Sequence, residues 1–173
     1  MQLGPASTPN YGGRDSRCIE VKIPPDAPRM VALSYTLLMT GVFGDEEENF
    51  TGEMIWLRDY DFGSQTFDRA GRLMLESVAG LTSDAARLEQ YPACWYSPQE
   101  LAAAHAALLI GCIFQWDMIA IPGSGQHLLS VSHDGVVQVI TRTPSIFELV
   151  FERLEAGEWD LREKAIPEEF LGS

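Results

Sequence analysis

Cysteine is scarce in this chain of 173 residues, which has only Cys18, Cys94 and Cys112. An odd number of cysteines, without the close spacing of metal-binding pairs, favours reduced thiols over a disulfide framework. The first residues also lack the basic start and apolar run of a secretory signal peptide. The longest apolar run, Leu101 to Phe114, is shorter than the roughly 18 residues of a membrane span, so it predicts a buried helix. We therefore expect a cytoplasmic protein.

Basic residues are scarce as well: 12 Lys and Arg stand against 25 Asp and Glu, for a net charge of -13. Such acidity disfavours binding to nucleic acids and anionic membranes, and it favours a basic protein partner. Two segments carry most of the imbalance, with seven acidic residues and one Arg from Asp45 to Asp61, and eight acidic and three basic residues from Phe147 to Ser173. Acidity can also serve solubility alone, which requires no partner.

Motifs that reveal catalysis or ligand binding are missing. The chain has no glycine-rich phosphate loop, HExxH or EF-hand pattern. The sequence Gly123-Ser124-Gly125 lies between two expected strands, where a hairpin loop fits better than a nucleophile elbow. His105 is expected in the core, whereas His127 and His133 lie at opposite ends of one hairpin and would not share a metal ion. The sequence therefore predicts no metal site and no cofactor, and it favours a protein that is not an enzyme.

The stretch from Gln115 to Thr141 predicts a three-stranded antiparallel meander. Its strands are expected near residues 117–121, 127–132 and 136–141. A two-residue loop between the last two strands would mix polar and apolar side chains on both faces, whereas a three-residue loop with Gly135 in the left-handed region separates them. We expect the three-residue loop, because a slip by one residue would move the apolar set off the core. The resulting pairs are Val131 with Val137, Leu129 with Val139 and Ser130 with Gln138.

Strand and helix patterns also occur in the rest of the chain. Alternating apolar and polar residues predict strands at residues 18–23, 30–40 and 51–58. Helices are predicted at residues 64–79, 83–90 and 97–114, and Ser97 with Glu100 forms a capping box at the start of the third. A final helix follows Pro144, with Ser145 and Glu148 as its capping pair. Residues 92–96 are expected to form a loop.

Strands and helices in separate runs indicate an α+β domain. We expect an antiparallel or mixed sheet of about six strands, in the order βββ-ααα-βββ-α, with the helices packed mainly on one face. Residues 1–17 are expected to form a flexible tail, residues 18–157 a single α+β domain, and residues 158–173 an acidic C-terminal tail. The residues that would dock this last tail onto the domain are Trp159, Leu161 and Phe170.

The first candidate site is a run of four consecutive acidic residues. As a charged docking surface, it would speed the encounter with a Lys- and Arg-rich partner and help to select it. Nearby Phe50 and Trp56 would supply apolar anchors for the same partner. The run, called the acidic run below, consists of Asp45, Glu46, Glu47 and Glu48.

The second candidate site is the pair Asp59 and Asp61, at the point where a predicted strand leads into a predicted helix. Two carboxyl groups in different environments can divide acid and base roles between them. A simpler interpretation needs no function: Asp61 caps the helix, and Asp59 pairs with Arg58 or with solvent.

These observations lead to three functional hypotheses. The first is a non-enzymatic protein of bacterial type that binds a basic protein, as an immunity or inhibitor protein would. The second is a small enzyme or small-molecule binder with a cleft near Asp59 and Asp61. The third is a structural homodimer with an apolar, self-complementary patch. The first hypothesis gains support if one of four aromatic residues is exposed beside the acidic run: Phe43, Phe50, Trp95 or Tyr96.

Overall fold

The computed structural model describes residues 9–42, 50–58, 66–80 and 93–171. The strands in these ranges are β1 (Arg17–Lys22), β2 (Glu53–Leu57), β3 (Ala93–Tyr96), β4 (Met118–Pro122), β5 (His127–Ser132), β6 (Val136–Thr141) and β7 (Leu161–Lys164). The α-helices are α1 (Ala27–Met39), α2 (Thr66–Val78), α3 (Leu101–Phe114) and α4 (Pro144–Ala156). Short 3-10 helices occur at Pro98–Glu100 and Glu168–Phe170.

The seven strands pair antiparallel in a single sheet with the order β3-β2-β4-β5-β6-β1-β7. This arrangement confirms the predicted α+β class, with one strand more than the six expected. The order along the chain differs from the expected one, because helices alternate with the first three strands. The helix predicted at residues 83–90 lies outside the described residues.

The prediction of a strand at residues 30–40 is wrong, because α1 occupies this stretch. Apolar residues alternate there, but they also recur at the spacing of a helix face. The residues that α1 buries are Leu33, Ser34, Leu37 and Leu38. The side chain of Asp26 caps the helix by accepting a hydrogen bond from the Arg29 backbone N–H at 3.0 Å. This cap, followed by Pro28 in the first turn, selects the helix.

The loop predicted at residues 92–96 is also wrong: residues 93–96 form β3, an edge strand paired with β2. Four residues are too few to show a convincing period-2 pattern, and the pairing with β2 decides their conformation. The structure thus adds a strand at one end of the sheet that no local signal in the sequence revealed.

Capping residues were predicted at the starts of two helices, and the structure confirms one prediction and corrects the other. At the confirmed one, the Glu100 carboxylate accepts hydrogen bonds from the Ser97 backbone N–H at 2.8 Å and from the Ser97 hydroxyl at 2.6 Å. The cap of α4 is Thr143 and not Ser145, since the Thr143 hydroxyl oxygen accepts the Ile146 backbone N–H at 3.4 Å. Thr143 precedes Pro144 and has extended backbone angles, so it holds the position that capping requires.

The hairpin of β5 and β6 confirms the predicted register. Gly135 has a φ of 75°, in the left-handed region that the three-residue loop needs. The observed pairs include Val131 with Val137, Leu129 with Val139 and Ser130 with Gln138. Alternation then sends Leu129 to the core under the helices and Ser130 to the opposite face.

The sheet has two faces with different covers. One face packs against the four helices in the main apolar core. The opposite face, called the outer face below, has an apolar half that is covered by Tyr11 and Phe170 from the two ends of the described chain. The backbone N–H groups of Tyr11 and Gly12 donate to the Phe170 carbonyl at 2.9 and 2.7 Å. The apolar strand residues beneath are Cys18, Trp56, Ile119, Leu128 and Ile140.

The segment that follows Gly157 contributes directly to this architecture. β7 pairs with β1 and extends the sheet by one strand. Phe170 is fully buried on the outer face. Of the three docking residues expected from the sequence, Trp159 and Leu161 are half-buried against the main core.

Candidate functional site

The residues singled out by the sequence divide into two groups. The acidic run, together with Asp59 and Asp61, lies outside the described residues. Phe50 and Trp56 are described, and only 3% and 6% of their surfaces are exposed. Their rings lie in the core on opposite faces of the sheet, so they stabilise the fold and do not present a surface to a partner.

Trp95 is an exposed aromatic residue, with 57% of its surface accessible. Its ring lies against Gly52, where an added Cβ would come within 2.6 Å of the ring. Tyr96, the neighbour of Trp95, is buried, and Phe43 lies outside the described residues. Trp95 is therefore the exposed one among the described residues that were named as indicators of binding.

Helix α4 presents the second acidic segment of the sequence to solvent. Glu148, Glu152 and Glu155 are all exposed, and their spacing of four and three residues places them on one side of the helix. We call this side the acidic helix face. None of the three makes an ion pair with a described residue. Like charges at this spacing repel one another by a few tenths of a kcal/mol, so the face is costly to the helix.

Arg153 is the only basic residue of α4, and it points away from the acidic helix face. One guanidinium nitrogen, Nη1, donates to the carbonyls of Met39 and, at 2.7 Å, of Val42. The Met39 carbonyl lies at the C-terminal end of α1 and the Val42 carbonyl three residues beyond it, where a cation is favourable. Arg153 thus joins the end of α1 to α4.

A buried polar contact joins Thr40, the residue after α1, to His127 at the start of β5. His127 is buried, and its Nε2 lies 2.9 Å from the Thr40 hydroxyl oxygen. The Thr40 hydroxyl donates its proton to the Leu37 carbonyl at 2.6 Å, so the imidazole must donate to Thr40 through an Nε2–H group. Burial and, to a smaller extent, the positive charge of Arg153 together lower the pKa of His127 to about 4. The neutral imidazole is therefore a structural donor.

Glu53 is a second buried titratable side chain in this part of the fold. It lies at the start of β2, between Tyr96 of β3 and Pro122 of β4. Only 1% of its surface is exposed, and neither carboxyl oxygen has a hydrogen-bond partner among the described residues. Burial raises the pKa of this carboxyl well above its usual value, which favours the protonated acid in the folded state.

The polar half of the outer face contains a cavity of about 390 Å³. Its floor is a row of three side chains that lie opposite one another on adjacent strands, Glu20 on β1, Gln138 on β6 and Ser130 on β5. The hairpin register predicted two members of this row. Glu20 could not be placed in this row from the sequence, because the pairing of β1 with β6 joins distant parts of the chain.

The wall of this cavity consists of an ion pair, Arg58 with Glu169, and of a contact between Asp117 and His133. Arg58 donates two hydrogen bonds to Glu169, at 2.8 and 3.0 Å. The Asp117 carboxylate contacts Nδ1 of His133 at 3.0 Å and accepts the His133 backbone N–H at 3.0 Å. His133, which the sequence placed in a turn for backbone reasons, is therefore also a side chain of the cavity. The cleft expected near Asp59 and Asp61 falls on residues outside the described ranges.

No group of three or more His, Cys, Asp or Glu residues that could hold a metal ion occurs in the described part of the chain. None of the described helices is both long and apolar enough to cross a membrane. Comparison with known protein families, with curated proteins and with solved structures finds no match for this chain.

The lowered pKa of His127 predicts a loss of stability in mild acid. The unfolded chain binds a proton below about pH 6.5, whereas the folded protein resists it until about pH 4. Stability therefore falls as the pH drops through this window, by about 3 kcal/mol in total for this residue. The variant His127→Gln keeps an N–H donor for Thr40 but cannot titrate. Urea unfolding from pH 7 to pH 4 should show a shallower decline for the variant, and parallel curves would contradict the assignment.

The raised pKa of Glu53 predicts the opposite dependence. Above about pH 4.5 the unfolded chain loses a proton that the folded state retains, so this residue destabilises the fold increasingly as the pH rises. We expect Glu53→Gln to be more stable than the wild type, by a margin that grows by about 1.4 kcal/mol per pH unit. Chemical unfolding at pH 5, 6 and 7 measures this margin.

The matched control for that experiment is Glu100→Gln. Hydrogen bonds from Ser97 lower the pKa of Glu100, and the resulting stabilisation is complete above about pH 4.5, so Glu100→Gln should be less stable than the wild type by a margin that stays constant from pH 5 to pH 7. A constant margin for Glu53→Gln across the pH series would show that its carboxyl is not enclosed.

Proposed function

We propose that this protein is a cytoplasmic, non-enzymatic binding protein of bacterial type that uses an acidic surface to bind a basic protein, as an immunity or inhibitor protein does. The surface consists of the acidic helix face together with the acidic run. The three cysteines support the cellular location, because all are free thiols and a reducing compartment keeps them so.

The observation that carries the proposal is the orientation of Arg153. The bonds from Arg153 to the Met39 and Val42 carbonyls direct its guanidinium toward the end of α1. The same bonds remove the only cation of α4 from its solvent side. The acidic helix face consequently has no positive charge of its own helix to neutralise it, and its repulsion is relieved when a basic partner binds.

Trp95 adds the apolar element that an electrostatic surface lacks. Charge alone speeds association and discourages wrong partners, whereas buried aromatic side chains supply most of the affinity in protein interfaces. The indole of Trp95 is more than half exposed, on an edge strand and against Gly52. It replaces Phe50 and Trp56 as the aromatic anchor of the proposal, since those two rings are in the core.

The proposal predicts that neutralising the acidic helix face weakens capture of the partner. The triple variant Glu148→Gln, Glu152→Gln, Glu155→Gln should bind about tenfold less tightly, because three exposed charge contacts together contribute about 1.4 kcal/mol. Wild type and variant are used as bait in lysate of the source cell, at low and at high salt, and retained proteins are identified by mass spectrometry. The expected result is a basic protein that is retained by the wild type at low salt and is lost with the variant.

The control is a second triple variant with the same net charge, Asp134→Asn, Asp160→Asn, Glu168→Gln, whose exposed residues lie outside α4. It should retain the partner as the wild type does. Equal losses for both triple variants would reduce the effect to net charge alone. Retention that is indifferent to salt and to the α4 substitutions would contradict the proposal.

Homodimerisation is a second candidate, favoured by an apolar groove between α2 and α3. Helix α3 contains no charged residue, and a helix of that kind is normally covered on all sides. The groove has a volume of about 470 Å³. The residues of its rim that are most exposed are Leu73, Met74 and Ile113.

A dimer through this groove should have twice the mass of one chain in light scattering at micromolar concentration, and Leu73→Glu should convert it to a monomer, since a charge cannot be buried in an apolar interface without a partner. Leu171→Glu, another exposed leucine, is the control and should remain a dimer. A monomeric wild type would exclude this candidate without affecting the first.

A further inference from the structure

The cavity on the outer face, described above, contains two polar side chains that the fold does not use. Ser130 is 95% buried, with 5% of its surface exposed, and it lies on the cavity floor. Its hydroxyl makes no hydrogen bond to any described residue. The side-chain amide of Gln138, beside it on β6, likewise has no partner in the described part of the chain. Both groups open into the cavity, where a bound molecule can replace the hydrogen bonds that they otherwise make with water.

The position of these groups follows from the sheet register. Two residues before the row, the outer face is apolar, with Cys18, Ile140 and Leu128 in line beneath Tyr11 and Phe170. The next row outward is polar, and no described residue covers it as Tyr11 and Phe170 cover the apolar row. Among the described residues, this polar half of the outer face forms the concave surface.

Four carboxylates line the cavity: Glu20, Asp117, Asp134 and Glu169. Glu169 pairs with Arg58, whereas Asp117 and Asp134 lie beside His133, which is charged only when it is protonated. The Glu20 carboxylate lies 3.6 Å from the Lys164 ammonium group. What the cavity has left to offer is a hydroxyl and an amide, each able both to donate and to accept, and the remaining lone pairs of the carboxylates.

This inventory selects the chemistry of the occupant. An apolar ligand would leave the floor unsatisfied, and Val136 is the only hydrocarbon side chain among the lining residues. An anionic ligand would be repelled by the carboxylates of the lining. A neutral molecule with several hydroxyl groups fits this lining, since each hydroxyl can donate to a carboxylate or amide oxygen and can accept from the Gln138 amide, the Ser130 hydroxyl or Arg58.

We infer that this cavity is a binding site for a small neutral polyhydroxylated molecule, a monosaccharide or a polyol. Ser130, Gln138 and Glu20 hold it on the floor, and Arg58 holds it at the wall. Its volume of about 390 Å³ falls within the range of small-molecule sites. A second cavity of about 210 Å³ shares Glu20 and Val136 with it and extends the surface toward Arg162. The site is independent of the acidic helix face, which lies on the other side of the sheet.

The test is a titration of the full chain, followed by amide NMR shifts, with glucose, myo-inositol and glycerol as neutral probes and with glucosamine and gluconate as charged comparators. We expect saturable shifts of residues on the cavity floor with at least one neutral probe. Ser130→Ala and Gln138→Met should each weaken that binding about 2- to 10-fold, the effect of one neutral hydrogen bond. Ser145→Ala and Gln99→Met, matched substitutions at exposed sites elsewhere, should leave it unchanged.

Loss of binding through unfolding is separable from loss of the site. Because the Ser130 hydroxyl has no partner in the described fold, Ser130→Ala should unfold at the same urea concentration as the wild type or at a higher one. The triple glutamine variant of α4 should bind the neutral probe as the wild type does, which keeps this test distinct from that of the acidic surface. Three outcomes would overturn the inference: no saturable binding of any neutral probe, binding that both floor variants preserve, or tighter binding of a charged comparator.

Discussion

The antiparallel pairing of β1, β6 and β5 is the constraint on which the rest of the structure depends. Side chains of a strand alternate between faces, so this one register decides at once which residues enter the helix-side core and which reach the outer face. Leu129 and Val139 go to the helices, whereas Ser130 and Gln138 go to the other side. In the described part of the chain, four helices pack on the first face, and Tyr11 and Phe170 cover the apolar half of the second. The distribution of polar and apolar surface in the whole molecule follows from this difference.

The electrostatics of the surface are organised around what the cations do. The chain has far fewer basic than acidic residues, and several of the basic ones are engaged within the protein. Arg153 supports the end of α1, Arg58 holds Glu169, and Arg17 lies over the Phe147 ring at 3.6 Å. Two of these arginines also neutralise a carboxylate, since Arg58 pairs with Glu169 and Arg17 with Glu163. With 12 basic residues against 25 acidic ones, the surface still has an excess of negative charge, and the acidic helix face is an example of it.

Local signals in the sequence predicted the parts of the fold that depend on near neighbours. The capping box of Ser97 and Glu100, the left-handed Gly135 and the β5–β6 register are of this kind, and all three are confirmed. α1 was mistaken for a strand because its apolar residues fit two periods, and only the cap at Asp26 distinguishes them. β3 and β7 are short strands whose pairing comes from distant residues.

The candidate sites show the same division between local and long-range information. Acidity is a compositional property, so the sequence alone was enough to suggest an electrostatic surface. The connection through Arg153 joins residues more than a hundred positions apart, and no local pattern contains it. The outer-face cavity needs β1 next to β6 and the C-terminal segment beside Arg58, both of which are tertiary facts. Burial could not be deduced for Phe50 and Trp56 either, because their surroundings come from other elements.

Two of the buried titratable groups, His127 and Glu53, together affect how many protons the protein exchanges with solvent when it folds. Between about pH 4.5 and pH 6.5 the unfolded chain has a protonated imidazole and an ionised carboxyl at these positions, whereas folding favours the neutral form of both. Folding then releases one proton from His127 and takes up one at Glu53, so the net exchange with solvent from this pair is zero. The contributions of these two residues to the free energy of unfolding therefore depend on pH with opposite signs, and they cancel over this interval.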